Sequence, residues 1–174
     1  MGFHHVALAT RDTRATHRFY TEAMGFELVK TNVGKTPAGG WAKHFFYETG
    51  GHGLIAFWEI HDDAEVKPEW SSDISRGCGL PPWANHLAFE AHTEDQYQGA
   101  LARWHETGHD VVEIDHGFCK SLYMSDPNGI TVEWCLTTRP FSEADKKKAL
   151  EDLDDPRPAL APEPAVRVHR AAAG

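Results

Sequence analysis

Cysteine is scarce in this chain. Only Cys78, Cys119 and Cys135 occur in 174 residues, with no CxxC pair and no even framework. A disulfide scaffold is excluded, and a reducing, cytoplasmic setting is expected. Long apolar runs are also missing. Nothing approaches the ~20 residues of a membrane helix. The start, Met1-Gly2-Phe3-His4-His5, lacks the basic and then apolar pattern of a secretion signal. Positive charge is in short supply: 17 Lys and Arg stand against 26 Asp and Glu, a net −9 with His neutral. Neither nucleic acid nor an anionic membrane is therefore expected as a partner.

What is present is a foldable composition, 41% hydrophobic and 11% aromatic, and an excess of histidine, 12 in all. Val6 to Ala9 reads as a strand. Asp12 or Thr13 is placed to cap a helix over 13–24, with Ala15, Phe19, Ala23 and Met24 at helical spacing and Gly25 as its stop. Strands follow at 26–29, 41–48 and 54–59. The same order then recurs. A strand at 85–91 precedes a helix at 94–106 ended by Gly108, and strands at 109–114, 121–124 and 130–136 complete the unit. The expected fold is α+β: two βαβββ modules, about 3–60 and 84–137, forming a curved mixed sheet around a metal cleft. Together they make a domain of residues 1–140, and 141–174 add a helix over 141–153 and a tail from 155 that orders only by docking. Between the modules lies an excursion at 60–83, long for a connector and suited to a lid or partner surface.

The repeat extends to single letters. His5-Val6-Ala7-Leu8 answers His86-Leu87-Ala88-Phe89. Alternation puts the bulky pair of each strand on one face and the histidine with a small alanine on the other. Two equivalent imidazoles then aim at a common hollow. Glu133 follows the Asp126-Pro127-Asn128-Gly129 turn and shares a face with Thr131, while Ile130, Val132 and Trp134 take the opposite face. A carboxylate among apolar neighbours needs a partner or a metal. Two histidines and one carboxylate form a facial triad with open positions, which suits Fe(II) and dioxygen.

These residues resemble the vicinal oxygen chelate superfamily, whose members include glyoxalase I, extradiol ring-cleaving dioxygenases, fosfomycin-resistance enzymes and bleomycin-binding proteins. The resemblance runs over about residues 3–137. It rests on His5, Arg18-Phe19-Tyr20 through Gly25-Phe26, His86, and Asp126-Pro127-Asn128-Gly129 through Glu133. It implies a divalent metal, Fe(II) first and Mn, Zn, Ni or Co as alternatives, held by His5, His86 and Glu133. Glyoxalase I has a fourth ligand at the end of the first module, where this chain places Ala56 or Phe57; Glu59 would need a register shift.

A narrower likeness to extradiol dioxygenases lies in Ile114-Asp115-His116, Leu122-Tyr123, Asp126-Pro127, Gly129 and Glu133. It implies that His116 and Tyr123 contact a catechol-like substrate, with His52 or His44 as the acid–base group. The alternative is a lyase or isomerase of the glyoxalase or epimerase kind, with the metal as Lewis acid. A drug-binding module is the third possibility. Many extradiol enzymes carry two such domains. With one, this chain is expected to borrow pocket walls from the excursion or from a second copy, as a homo-oligomer acting on a small aromatic or vicinal-oxygen substrate.

Overall fold

Alternating side chains decide which way each strand faces, and the two modules use that alternation alike. The computed structural model describes residues 2–51 and 53–171. β1 (His5–Ala9) leads into α1 (Thr13–Arg18), which continues through a π-helical turn at Phe19–Ala23. β2 (Glu27–Lys35), β3 (Trp41–Glu48) and β4 (Leu54–His61) complete the first module. β5 (His86–Glu90), α2 (Glu94–Glu106), β6 (Val111–Asp115), β7 (Cys119–Ser125) and β8 (Thr131–Thr137) form the second, and α3 (Glu143–Asp154) and β9 (Ala165–His169) follow. The two βαβββ units are those the repeat predicts.

The helices start where side chains satisfy their first free amides. Asp12 accepts from the Ala15 amide and Thr93 from the Gln96 amide. Ser142 and Asp145 make a reciprocal capping box on α3. Gly25, at φ +75°, takes the left-handed turn that ends the first helical segment.

In each module the first strand lies parallel beside the last and the remaining strands run antiparallel, giving sheets ordered β1-β4-β3-β2 and β5-β8-β7-β6-β9. The sheets do not join into one. Edge strands β1 and β5 instead line a groove between them, with Val6 and Leu54 on one side and His86 and Ala88 on the other. The tail does dock: β9 pairs antiparallel with β6 and gives the second sheet a fifth strand.

One core serves both modules. Tyr20 is fully buried, with its ring 4.8 Å from Phe57 and 5.8 Å from Tyr47. Phe26 reaches Phe89 at 5.0 Å and Trp134 at 5.9 Å in the second module. Tyr97, Ala100 and Trp104 of α2 close the same cluster with Leu122 and Val132. The helices are thus packed between the sheets. Each sheet gives one face to this core and turns the other outward.

Two polar ties lock the arrangement. The Tyr20 hydroxyl donates to Asp126 Oδ2 at 3.0 Å, and Asp126 also accepts from the amides of Asn128 and Ile130. The Asp-Pro-Asn-Gly turn is therefore a structural joint between modules. The excursion is clamped by Arg11, which donates to the carbonyls of Pro68 and Trp70 and lies 4.5 Å from the Trp70 ring. It also packs against the turn so closely that a Cβ on Gly129 would meet Asp73 Oδ2 at 2.8 Å. Among the described residues no helix is long and apolar enough to cross a membrane.

β9 is held from the core side by Glu113, which accepts from His169 Nε2 at 2.8 Å and from the Tyr97 hydroxyl at 3.1 Å. Burial opposes the Glu113 charge, but these hydrogen bonds and the charges of His169 and Arg167 outweigh it and hold its carboxyl below the ordinary 4.5. A depressed carboxyl stabilises fully above that ordinary value, and the contribution fades as pH falls through the folded value. Glu113→Gln is expected to speed hydrogen exchange of the β9 amides about tenfold at neutral pH while α2 and β8 stay protected. Wild type should lose the same protection selectively in acid, and unchanged β9 exchange in the variant would show that the strand is held otherwise.

Candidate metal centre

The outer face of the second sheet gathers three strands' worth of polar side chains in one row. β5 pairs with β8 so that Ala88 lies beside Glu133, and β8 pairs with β7 so that Glu133 lies beside Tyr123. His86 stands one pleat away on the same face. Its Nδ1 is 3.2 Å from the Trp83 carbonyl oxygen. A carbonyl only accepts, so Nδ1 carries the hydrogen in that contact. Nε2 is left to face Glu133 Oε2 at 3.2 Å. The other carboxylate oxygen, Oε1, accepts from the Ser121 hydroxyl at 2.6 Å.

Glu133 is only 5% exposed. A neutral imidazole lone pair and a carboxylate oxygen repel at this distance unless a proton or a cation bridges them. Two ligand atoms ~2.1 Å from one ion and at right angles to each other lie about 3 Å apart. The His86–Glu133 pair therefore fits two neighbouring positions on a metal, and the donor set suits a borderline or hard divalent ion.

Tyr123 and His116 stand beside this pair. His116 Nε2 is 3.1 Å from the Tyr123 hydroxyl, and the Tyr123 and His86 rings are 6.2 Å apart. Burial, reinforced by the Glu133 charge, pushes the Tyr123 phenol up to about 12, so it stays protonated and can donate. The structure therefore brings together His86, Glu133, Tyr123 and His116.

His5 stands apart from them inside one chain. It occupies the outer face of the first sheet, where its ring lies 5.6 Å from Phe46 and 6.2 Å from His44. Its Nδ1 is 2.9 Å from that of His4. Among the described residues no three His, Cys, Asp or Glu side chains are gathered closely enough to hold an ion. The expected convergence of His5 with His86 and Glu133 is therefore not made within the chain. The physical reason is the shared core, which turns the two outer faces away from it on opposite sides.

His44 neighbours His5, with its ring stacked on Trp58 at 3.7 Å. Its Nε2 is buried without a hydrogen-bond partner among the described residues. Burial first, and then the nearby His5, lower its pKa from 6.5, which favours the neutral, proton-accepting form. His52, the competing acid–base candidate, lies outside the described residues. Glu59 is on the core side of β4, bonded to Lys43 Nζ at 2.6 Å. On the outer face the position beside Ala7 is Ala56, which has no donor atom. Sequence reasoning missed Ser121, although its place two residues before Tyr123 puts it on the same face. The Trp83 carbonyl had no signal in the letters.

The sequence matches the model of the Glyoxalase/Bleomycin resistance protein/Dioxygenase superfamily over residues 2–134. A search of curated proteins finds no match. Among solved structures, the chain is similar to a glyoxylase/bleomycin resistance protein/dioxygenase domain from Frankia sp. EAN1pec, with TM-score 0.61, 19% identity, and 81% of this chain and 95% of that one covered. It is also similar to TnmS3, an antibiotic binding protein from Streptomyces sp. CB03234, with TM-score 0.54, 14% identity and coverages of 79% and 97%. Lactoylglutathione lyase from Agrobacterium tumefaciens gives TM-score 0.53, 19% identity and coverages of 78% and 92%. At these identities the likeness is one of fold.

Glu133→Gln is expected to abolish stoichiometric metal binding, measured by metal analysis after dialysis. Ser121→Ala frees Oε1 and should weaken the metal about tenfold to a hundredfold, with Ser121→Thr restoring affinity. Wild-type affinity in Ser121→Ala would remove the hydroxyl from any part in setting the carboxylate.

Proposed function

Because the chain belongs to the Glyoxalase/Bleomycin resistance protein/Dioxygenase superfamily, we propose that it is a metal-dependent dioxygenase of the extradiol type, cleaving a catechol-like ring at a centre completed by two copies of the chain. The observation that carries this reading is the apposition of His86 Nε2 and Glu133 Oε2 at 3.2 Å, with His86 Nδ1 and Glu133 Oε1 each engaged elsewhere. The ion is Fe(II) by preference, and Mn, Zn, Ni or Co suit the same donors.

The third ligand is His5 of a second copy. Support comes from the outer faces themselves. The first sheet carries His5 and His44 with Phe46 and Trp58 on its outer face, and every residue of β2 is exposed. A two-fold pairing that lays this face over the partner's second sheet makes two equal centres. Each has three protein ligands. The absence of a donor at Ala56 and the engagement of Glu59 with Lys43 favour this count over the four-ligand lyase pattern. A drug-sequestering role has no need of the His86–Glu133 apposition.

Bound there, a redox-active ion supplies the electronic contact between a chelated diol and dioxygen. The chain's own residues do the rest. The Tyr123 hydroxyl hydrogen-bonds a diol oxygen, and His116 holds Tyr123 in place. The buried Nε2 of His44, brought in by the partner copy, accepts the substrate's hydroxyl proton. The aromatic faces around it exclude water.

Two measurements test the reading. Anaerobically loaded with Fe(II), the protein should consume oxygen with a catechol and form a yellow ring-fission product. No uptake across a catechol panel, with Zn or Ni bound stoichiometrically, would point instead to the lyase or isomerase chemistry. His5→Ala and Glu133→Gln should each be inactive alone. Mixed after mild dissociation, they should regain roughly a quarter of wild-type activity, because half the dimers are mixed and each holds one intact centre. No recovery from mixtures shown to exchange subunits would refute the shared centre.

A further inference from the structure

The seam between the modules ends in a hollow whose charges find no partner. It has a volume of about 310 Å³, and both modules build its walls. Met24 and Phe26 close the first helical segment, Glu48 ends β3, and Glu90 ends β5. Arg103 comes from α2 and Trp134 from β8. Trp134 takes the core side of β8, opposite Glu133, so the hollow is separate from the outer face of the second sheet.

Arginine ion pairs among the described residues belong to Arg76, Arg139, Arg167 and Arg170, and Arg103 has none. Its guanidinium lies against Gly25, where an added Cβ would meet Nε at 3.4 Å. That Nε is buried without a hydrogen-bond partner among the described residues. The same holds for Nε1 of Trp134, a side chain only 8% exposed. On the other walls Glu48 has no cation beside it, and Glu90 faces only His92 Nδ1, at 3.5 Å. One positive and two negative groups thus line a single hollow, out of ion-pair reach of each other.

Opposite charges held apart across a gap match a ligand that carries both signs. Orphaned donors at Arg103 and Trp134 call for acceptor oxygens. Gln96 adds another donor: its carbonyl oxygen accepts from the His92 amide at 2.8 Å, which leaves its NH2 group available. The hollow continues past Thr49, Gly50 and Glu90 into the groove between β1 and β5. That groove holds about 520 Å³ and is lined by Val6, Leu54, Ile55, Leu87 and Phe89. Both volumes lie in the range of ligand pockets, roughly 300–1,000 Å³.

We propose that this hollow binds a zwitterionic amino acid with an apolar side chain. Arg103 and the Trp134 indole N–H donate to its carboxylate, its ammonium donates to Glu48 and Glu90, and its side chain runs into the groove. A plain carboxylate leaves both glutamates uncompensated, and a plain amine leaves Arg103 so. The site does not depend on the reaction proposed for the outer face.

Isothermal titration calorimetry on the purified full chain tests this with three probes of one shape. They are L-leucine, 4-methylpentanoate, which lacks the ammonium, and 3-methylbutylamine, which lacks the carboxylate. Leucine should bind saturably and about tenfold more tightly than either. Arg103→Gln should weaken leucine about tenfold and leave 3-methylbutylamine as in wild type. Glu48→Gln/Glu90→Gln should weaken leucine by as much and leave 4-methylpentanoate no weaker. Both glutamates are exposed, so this second variant keeps the test open if Arg103→Gln does not fold. No saturable heat from leucine, equal affinity for the three probes, or unchanged leucine affinity in the glutamate variant would overturn the proposal.

Discussion

The burial of Tyr20 is the constraint on which the rest of the molecule depends. Its ring fills the space between the helices and the first sheet, and its hydroxyl ends on Asp126 of the second module. A buried carboxylate is costly without donors, and Asp126 has Tyr20, Asn128 and two backbone amides. Burial still raises its pKa, although those donors oppose the shift. The hydrogen bond therefore joins two modules that would otherwise be two small half-cores. Once they are joined through their helix sides, the remaining sheet faces have to point outward.

That orientation accounts for the form of the candidate site. His86 and Glu133 come from adjacent strands of one sheet, so parallel pairing of β5 and β8 is enough to bring them together. His5 comes from the other sheet, and no local pairing can carry it across the core. The chain thus places His86, Glu133 and Tyr123 on the outer face of one sheet and His5 and His44 on the outer face of the other. In the proposed two-fold assembly these two faces meet.

The same backbone logic gives the second sheet its gradient from polar to apolar. Each row across it is fixed by register, and register is fixed by the need to bury Leu122, Val132 and Trp134 on the core side. The outer residues follow automatically: Glu133, Tyr123, Val112 and Val168 form one row because their neighbours in sequence are needed inside. The C-terminal strand extends that row without altering the centre.

Much of this was legible in the letters. The repeat of His-x-Ala, helix, glycine and three strands specified both modules, and alternation assigned His5, His86 and Glu133 to the faces they occupy. Strand ends were shifted by a few residues, as at β2, which runs to Lys35 because hairpin pairing with β3 satisfies its backbone. Periodicity placed α3, through its Ser142 cap, but did not find β9, whose alternating Ala165 to His169 is short and lies in a tail rich in proline and alanine. That strand exists because β6 offers an unpaired edge and Glu113 a charge. The sequence by itself determined which face of each strand His5, His86, Tyr123 and Glu133 take, since that follows from a period of two. Only the tertiary structure decided which of them meet, because that depends on how two modules share one core, and no local pattern contains that information.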